Sequence, residues 1–344
     1  MTEWRFIEPF RDQIARCELA EGEVVALLSE SSSRAELVET ARLAAQLLGG
    51  RVYDVVVPTP ANRGPVAIRS TGASVALAGN PGVVAALAAA DLVLDCTVEG
   101  LLHAPELGEI LAAGTRILMI SNEHPESFAR YLHDETLRPR VERAVALLAG
   151  ARELHVSSAA GSDLCVQLDG AFCAGSWGYT QGPGSIAHWP GGLALAFPRA
   201  GSVEGTLVLA PGDLNLTFKS YVREPITLAI LDDHVDSIEG GGVDGDLLRS
   251  YLAAFGERAA YATSHVGFGL NRAARWDYLP LYDRSQINGT EARAFAGNFL
   301  YSTGANEVAG RFTAGHFDLP MRGCTVSLDG RVIVAEGVLQ DDLA

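Results

Sequence analysis

The sequence predicts an α/β protein built as a parallel-sheet α/β half followed by an α+β half. Three observations predict it. Up to about residue 155, short apolar runs alternate with segments of helical spacing. Beyond that point glycine becomes frequent and strand pairs replace the alternation. Near the C-terminus, Asp329-Gly330 stands between two strand-like runs, a hairpin signal that belongs to antiparallel structure.

The first half places its strands at 24–29, 52–57, 92–96, 116–120 and 154–157. These runs are apolar throughout instead of alternating, as strands covered on both faces are. Between them, 34–48, 82–90 and 125–148 are rich in Ala, Leu and Glu and read as helices, with the serines at 31–33 offering an N-cap to the first. In the second half, 226–231 and 235–238 flank Asp232-Asp233, and 325–328 and 331–335 flank Asp329-Gly330, giving two hairpins. Only 246–255 and 291–299 read as helices there. The expected division is a domain over 1–155 and a second over 156–344, with no internal repeat.

Composition narrows the function. The 344 residues carry 26 Lys and Arg against 42 Asp and Glu, a formal charge of -16, with no basic cluster to meet a phosphate backbone or an anionic membrane. Hydrophobic residues make up 48 %, which is globular and not disordered. The five cysteines are odd in number and form no CxxC pair, so neither a disulfide framework nor a cysteine zinc site is expected. The N-terminus shows no apolar signal region, and the most apolar stretch, around 83–94, is interrupted by Asp91 and falls short of the roughly 18 residues of a membrane helix. A cytoplasmic protein is expected.

Phosphate-loop, dinucleotide, nucleophile-elbow and HExxH motifs are absent from the sequence. What remains is His316-Phe-Asp318. On a strand, residues i and i+2 share a face, so the imidazole and carboxylate could meet one ion, or one could orient the other; the plain alternative is a strand histidine beside a solvated aspartate. His265 sits among glycines that permit close backbone approach, and is read as lying in a Gly-rich loop. Two histidines and one carboxylate are the set that holds non-haem Fe(II) with positions left open. His103 follows the run ending at residue 96, where open α/β sheets bind ligands. His188 lies in a Gly/Pro-rich loop beside an aromatic, and His124, His133, His155 and His234 read as surface or turn histidines.

At this level the residues carry a resemblance. Leu-His-Val-Ser-Ser-Ala-Ala-Gly-Ser-Asp (154–163), His-Trp-Pro-Gly-Gly (188–192), Ser-His-Val-Gly-Phe-Gly-Leu-Asn (264–271), the run at 292–304 and His-Phe-Asp-Leu-Pro-Met-Arg-Gly-Cys (316–324) resemble the 2,5-dihydroxypyridine 5,6-dioxygenase family, over most of the chain and most strongly after residue 150. A more distant similarity is to the aminopeptidase T metallopeptidases. The resemblance implies Fe(II) on His265, His316 and Asp318, an acid/base at His103, substrate contacts at His188 and Ser302, a small N-heterocycle and O2 as partners, and a homo-oligomer. One position departs: where the family pattern has a glutamate twelve residues before the His-Trp-Pro histidine, this chain has Ser176. The competing reading is a two-metal aminopeptidase, for which Glu204, Asp236, Asp283 and Glu291 could supply the further carboxylates.

Overall fold

The structure, a computed structural model, describes residues 3–61, 74–131 and 134–344; His133 lies outside them. In chain order the first half runs α1 (Trp4–Arg16), β1 (Val24–Glu30), α2 (Ala35–Leu47), β2 (Arg51–Val57), α3 (Pro81–Ala88), β3 (Leu92–Asp95), α4 (Leu107–Ala112), β4 (Arg116–Ile120), α5 (Pro125–Arg130) and α6 (Leu137–Gly150). The second half adds β5 (Glu153–Ser158), β6 (Asp163–Gln167), β7 (Phe172–Ser176), β8 (Ile186–Trp189), β9 (Leu193–Phe197), β10 (Val203–Leu209), the short pair β11 (Leu214–Asn215) and β12 (Ser220–Tyr221), β13 (Ile226–Leu231) and β14 (His234–Gly240). It closes with α7 (Gly242–Ala253), β15 (Thr263–Gly269), α8 (Thr290–Ala294), β16 (Phe299–Asn306), β17 (Arg311–Met321), β18 (Cys324–Leu328), β19 (Arg331–Ala335) and β20 (Val338–Leu339).

The first sheet is parallel, in the order β2-β1-β3-β4-β8. Its two faces are covered separately. Ile7, Phe10 and Ile14 of α1, with Leu37, Ala41 and Ala44 of α2, pack on one side, and Val84 and Leu87 of α3 with Ile110 of α4 on the other. That double cover explains why the strands read as unbroken apolar runs. The fifth strand, however, is β8 and not the run at 154–157. That run forms β5 in the eight-stranded antiparallel sheet β14-β13-β10-β6-β5-β18-β19-β20. The chain thus leaves the parallel sheet after β4 and returns at residue 186 to complete it.

A third sheet, β17-β16-β15-β9-β7, is antiparallel and positions the site. Its strands alternate faces. Phe317, Leu319, Met321, Val266, Phe268, Phe299, Tyr301, Ala194 and Ala196 enter one large core shared with the eight-stranded sheet, α6 and α7. The residues between them turn the other way, and a pocket over that face is also lined from the loops that follow β3 and β4.

Several local expectations are corrected. The segment 125–148 forms two helices, α5 and α6, and 291–299 is only the one-turn α8 before Phe299 enters β16. The serines at 31–33 do not cap α2: its N-cap is Arg34, without a side-chain cap, and Ser33 Oγ instead accepts from Glu30 N and donates to the Cys96 carbonyl. Both hairpins form, with Asp232, Asp233, Asp329 and Gly330 at positive φ. All five cysteines are free, and no helix among the described residues is long and apolar enough to cross a membrane.

At the carboxyl end of β1, burial pushes the Glu30 carboxyl up to about 7, with Asp95 and Glu99 adding repulsion and Thr59 and the Val98 backbone offsetting part. An ordinary glutamate titrates at 4.5. Folding therefore takes up a proton between those values, so stability falls as pH rises from 4.5 to about 7, and the penalty is complete above that. Glu30→Gln should raise Tm at pH 8 by roughly 2–4 °C per kcal/mol relieved, with the gain fading toward pH 4.5. Melting curves at pH 5 and pH 8 check this, and equal gains at both would contradict it.

Candidate metal centre

Strand register builds the site. His265 on β15 lies opposite Ser302 on β16, and Ser302 lies opposite Asp318 on β17, so three polar side chains stand in a row across three adjacent strands. His316 is two residues before Asp318 on the same face and opposite Gly304. A Cβ at Gly304 would sit 2.1 Å from the Gly315 carbonyl oxygen, with φ at +122°, so glycine is required where β16 passes this close to β17. His265 is thus a strand residue and not a loop residue. Its neighbouring glycines serve sheet packing: a Cβ at Gly267 would meet the Ala194 carbonyl at 2.1 Å.

All four side chains are nearly solvent-free, with His265 and His316 at 4 %, Asp318 at 3 % and Ser302 at 0 % exposure. One ligand atom from each of His265, His316 and Asp318 falls within 4.8 Å of the others. Ser302 Oγ donates to Asp318 Oδ1, and Arg293 Nε donates to Asp318 Oδ2. Burial alone would raise the Asp318 carboxyl, but Arg293, His316 and His265 outweigh it and hold it well below the usual range. Burial drives His265 down to about 3 against the attraction of Asp318. An ionised carboxylate and a neutral imidazole are the protonation states a metal ligand needs. The Nδ1 atoms of His265 and His316 are buried without a hydrogen-bond partner, a cost of about 1–3 kcal/mol each unless something accepts their lone pairs or protons. The donor set and these orphaned nitrogens fit a divalent ion of intermediate softness, such as iron.

The parallel sheet supplies the opposite wall. Asp95, at the end of β3, accepts from Thr97 N and Oγ1 and from Leu101 N, which folds the loop that carries His103. Gly100 is favoured in that loop because its φ is +77°, a left-handed conformation that side chains rarely adopt. The His103 ring stands 5.3 Å from that of His316, centroid to centroid. Burial, then the neighbouring His316 and His265, depress its pKa to about 3, so it stands neutral. His188 is in β8, not in a loop. Its Nδ1 lies 3.1 Å from the Pro190 carbonyl, which can only accept, so Nδ1 carries the proton and Nε2 is left as an acceptor. Ser176, in β7, donates its hydroxyl to the His188 carbonyl at 3.2 Å.

His103, His188, His265, His316 and Asp318 line one small pocket, together with Thr97, Glu99, Asn288, Thr290 and Arg293. Ser176 lines a larger chamber that shares His103 and His188 with it. Arg293 was not singled out from the sequence, although it lies in one of the resembling segments; an arginine among apolar residues just before a strand was the available signal. The other histidines stand apart. His124 accepts from Glu126 N at the start of α5, His155 meets Asp163, and His234 Nδ1 contacts the Asp232 carbonyl. Of the carboxylates that a second ion would need, Glu204, Asp236 and Asp283 are exposed, and Glu291 is paired with Arg130. The only metal-competent cluster among the described residues is the one at His265, His316 and Asp318.

The profile of the 2,5-dihydroxypyridine 5,6-dioxygenase family matches residues 5–341. The chain is 42 % identical over 323 residues to the 2,5-dihydroxypyridine 5,6-dioxygenase of Pseudomonas putida strain KT2440, spanning 92 % of this chain and 91 % of that protein. The solved structure of 2,5-dihydroxypyridine dioxygenase from the same strain superposes with a TM-score of 0.92 at 38 % identity, over 98 % of both chains. AmpT from Thermus thermophilus superposes with a TM-score of 0.68 at 14 % identity, over 98 % of this chain and 99 % of its own, a likeness of fold alone.

Proposed function

The chain belongs to the 2,5-dihydroxypyridine 5,6-dioxygenase family, and we propose that it is an Fe(II)-dependent enzyme that cleaves the C5–C6 bond of 2,5-dihydroxypyridine with O2 to give N-formylmaleamate. The observation that carries the iron assignment is the buried cluster of two imidazoles and one ionised carboxylate on adjacent strands. A two-metal peptidase is not favoured, because the carboxylates it would need are exposed or already paired.

His265, His316 and Asp318 would hold the iron, with Arg293 and Ser302 fixing the Asp318 carboxylate. The bound ion supplies activation of O2 beside the ring. The protein's own part is to seat and deprotonate the substrate. His103 lines the same pocket with its ring 5.3 Å from that of His316, so it is placed to take the 5-hydroxyl proton and leave the ring electron-rich. His188 Nε2 offers an acceptor to a ring N–H or hydroxyl. The near-complete burial of His265, Ser302, His316 and Asp318 keeps water from that wall of the pocket. Both oxygen atoms enter the product, and ring opening releases no fragment.

Protein loaded with iron without oxygen, then given 2,5-dihydroxypyridine under ¹⁸O2, should yield a product carrying two ¹⁸O atoms. Label arriving from water instead would overturn the assignment. His103→Ala should keep its metal yet lose about 10²–10⁴-fold in rate, as expected for removal of a general base. If the variant loses its metal, the role is wrong.

Ser176 marks the substrate preference. A glutamate there would offer an anionic acceptor, whereas serine is small and neutral and here spends its proton on the His188 carbonyl. Ser176→Glu should favour the plain ring over a ring-carboxylated analogue by about tenfold in kcat/KM, the difference between a charge-assisted and a neutral contact. An unchanged ratio would show that position 176 does not select substrate.

A further inference from the structure

The small polar pocket is not the whole cavity. It measures about 70 Å³, and it shares Leu102, His103, Met119, His188, Leu193 and Leu195 with a second space of about 730 Å³, roughly ten times larger. The second space lies in the range that ligands much larger than a single dihydroxylated ring fill. The shared residues stand between the two, so a ring held beside His103 and His188 borders both.

The chamber is apolar for a reason legible in the strands. Phe172, Ala174 and Ser176 are alternate residues of β7, and Leu193, Leu195 and Phe197 are alternate residues of β9, so both strands turn the same face into it. Val308, from the turn between β16 and β17, and Phe312, at the start of β17, also line it. At the outer rim Val75, Phe172 and Phe312 are 50 %, 58 % and 72 % exposed, a cluster of large apolar side chains facing solvent. Among the described lining residues there is no lysine or arginine, and the one carboxylate is Glu307. An anionic substituent would meet no cation among these described residues, whereas an apolar one would leave water for a surface of its own kind. Ser176 is short and its hydroxyl is turned to the His188 backbone, so it adds neither bulk nor charge to the chamber wall.

We propose that the substrates of this enzyme include 2,5-dihydroxypyridines that carry an alkyl or aryl substituent off the scissile C5–C6 bond, with the ring in the polar pocket and the substituent in the chamber. The inference rests on the ring-cleaving activity proposed above. The substituent takes no part in the chemistry: O2 adds across the same bond, and the group is carried unchanged into the opened product.

The test is kcat/KM for 2,5-dihydroxypyridine and for its 3-alkyl and 4-alkyl series from methyl to pentyl. Along at least one series the value should rise about threefold to fourfold for each added methylene, as for a methylene taken out of water. Ala174→Leu, which narrows the chamber, should flatten that rise. The same compounds titrated calorimetrically into iron-loaded protein without oxygen should show the same slope in affinity. If the parent ring is turned over but both series are flat or falling, the chamber is not a substrate site and the inference is wrong. If the parent is not turned over, the activity fails instead, and the calorimetric slope alone decides the chamber: a rise per methylene sustains it, and a flat line overturns it.

Discussion

The structure depends on keeping one ionised carboxylate, Asp318, away from water. A buried charge is tolerated only where partners replace its hydration, and removing one partner of such a pair typically costs about 3–5 kcal/mol. Asp318 has Arg293 on one oxygen and Ser302 on the other, with His316 beside it. Arg293 reaches it from α8, and α8 is held by the parallel half of the molecule. Glu123, in the loop after β4, accepts from the backbone N–H groups of Asn288, Gly289 and Thr290, while Ser121 bonds Thr290. The carboxyl ends of the first sheet are thereby tied to the charge at the centre of the third.

This arrangement divides labour between two kinds of sheet. The antiparallel sheet gives rigid register, which is what ligand atoms need, since three neighbouring strands fix His265, Ser302 and Asp318 relative to one another without any loop. The parallel sheet gives strand ends and the loops that follow them, which bring His103 and His188 to the same pocket from the other side. The groups are also divided electrically. The wall with the candidate ligands holds an ionised carboxylate and two buried imidazoles, and the space beyond His188 is lined mainly by aliphatic and aromatic side chains. A ring placed at the border meets polar groups on one edge and an apolar enclosure on the other.

Much of this was legible in the sequence, and the failures have physical causes. The apolar runs at 24–29, 92–96 and 116–120 are buried on both faces, and with the edge run at 52–57 they announced themselves as β1 to β4. The i, i+2 spacing of His316 and Asp318 implied a shared strand face, which β17 provides. By contrast, β8 is four residues long and joins the parallel sheet only through pairing with β4, a contact that no local pattern encodes. The glycines around His265 suggested a loop because their real cause, the close approach of the Ala194 and Phe295 carbonyls, is tertiary. Helix α1 was overlooked, although Ile7, Phe10 and Ile14 carry its buried stripe. Arg293 was overlooked because an arginine's partner across 25 residues cannot be read from spacing.

The central claim is that one metal ion per chain is held by His265, His316 and Asp318 and by nothing else. The direct measurement is metal content after anaerobic loading with Fe(II) and removal of the excess, for the parent protein and for His316→Ala. The account predicts one iron per chain in the parent and a loss of most of it in the variant, with the fold retained by circular dichroism. Two ions per chain in the parent, or full iron content in His316→Ala, would contradict it.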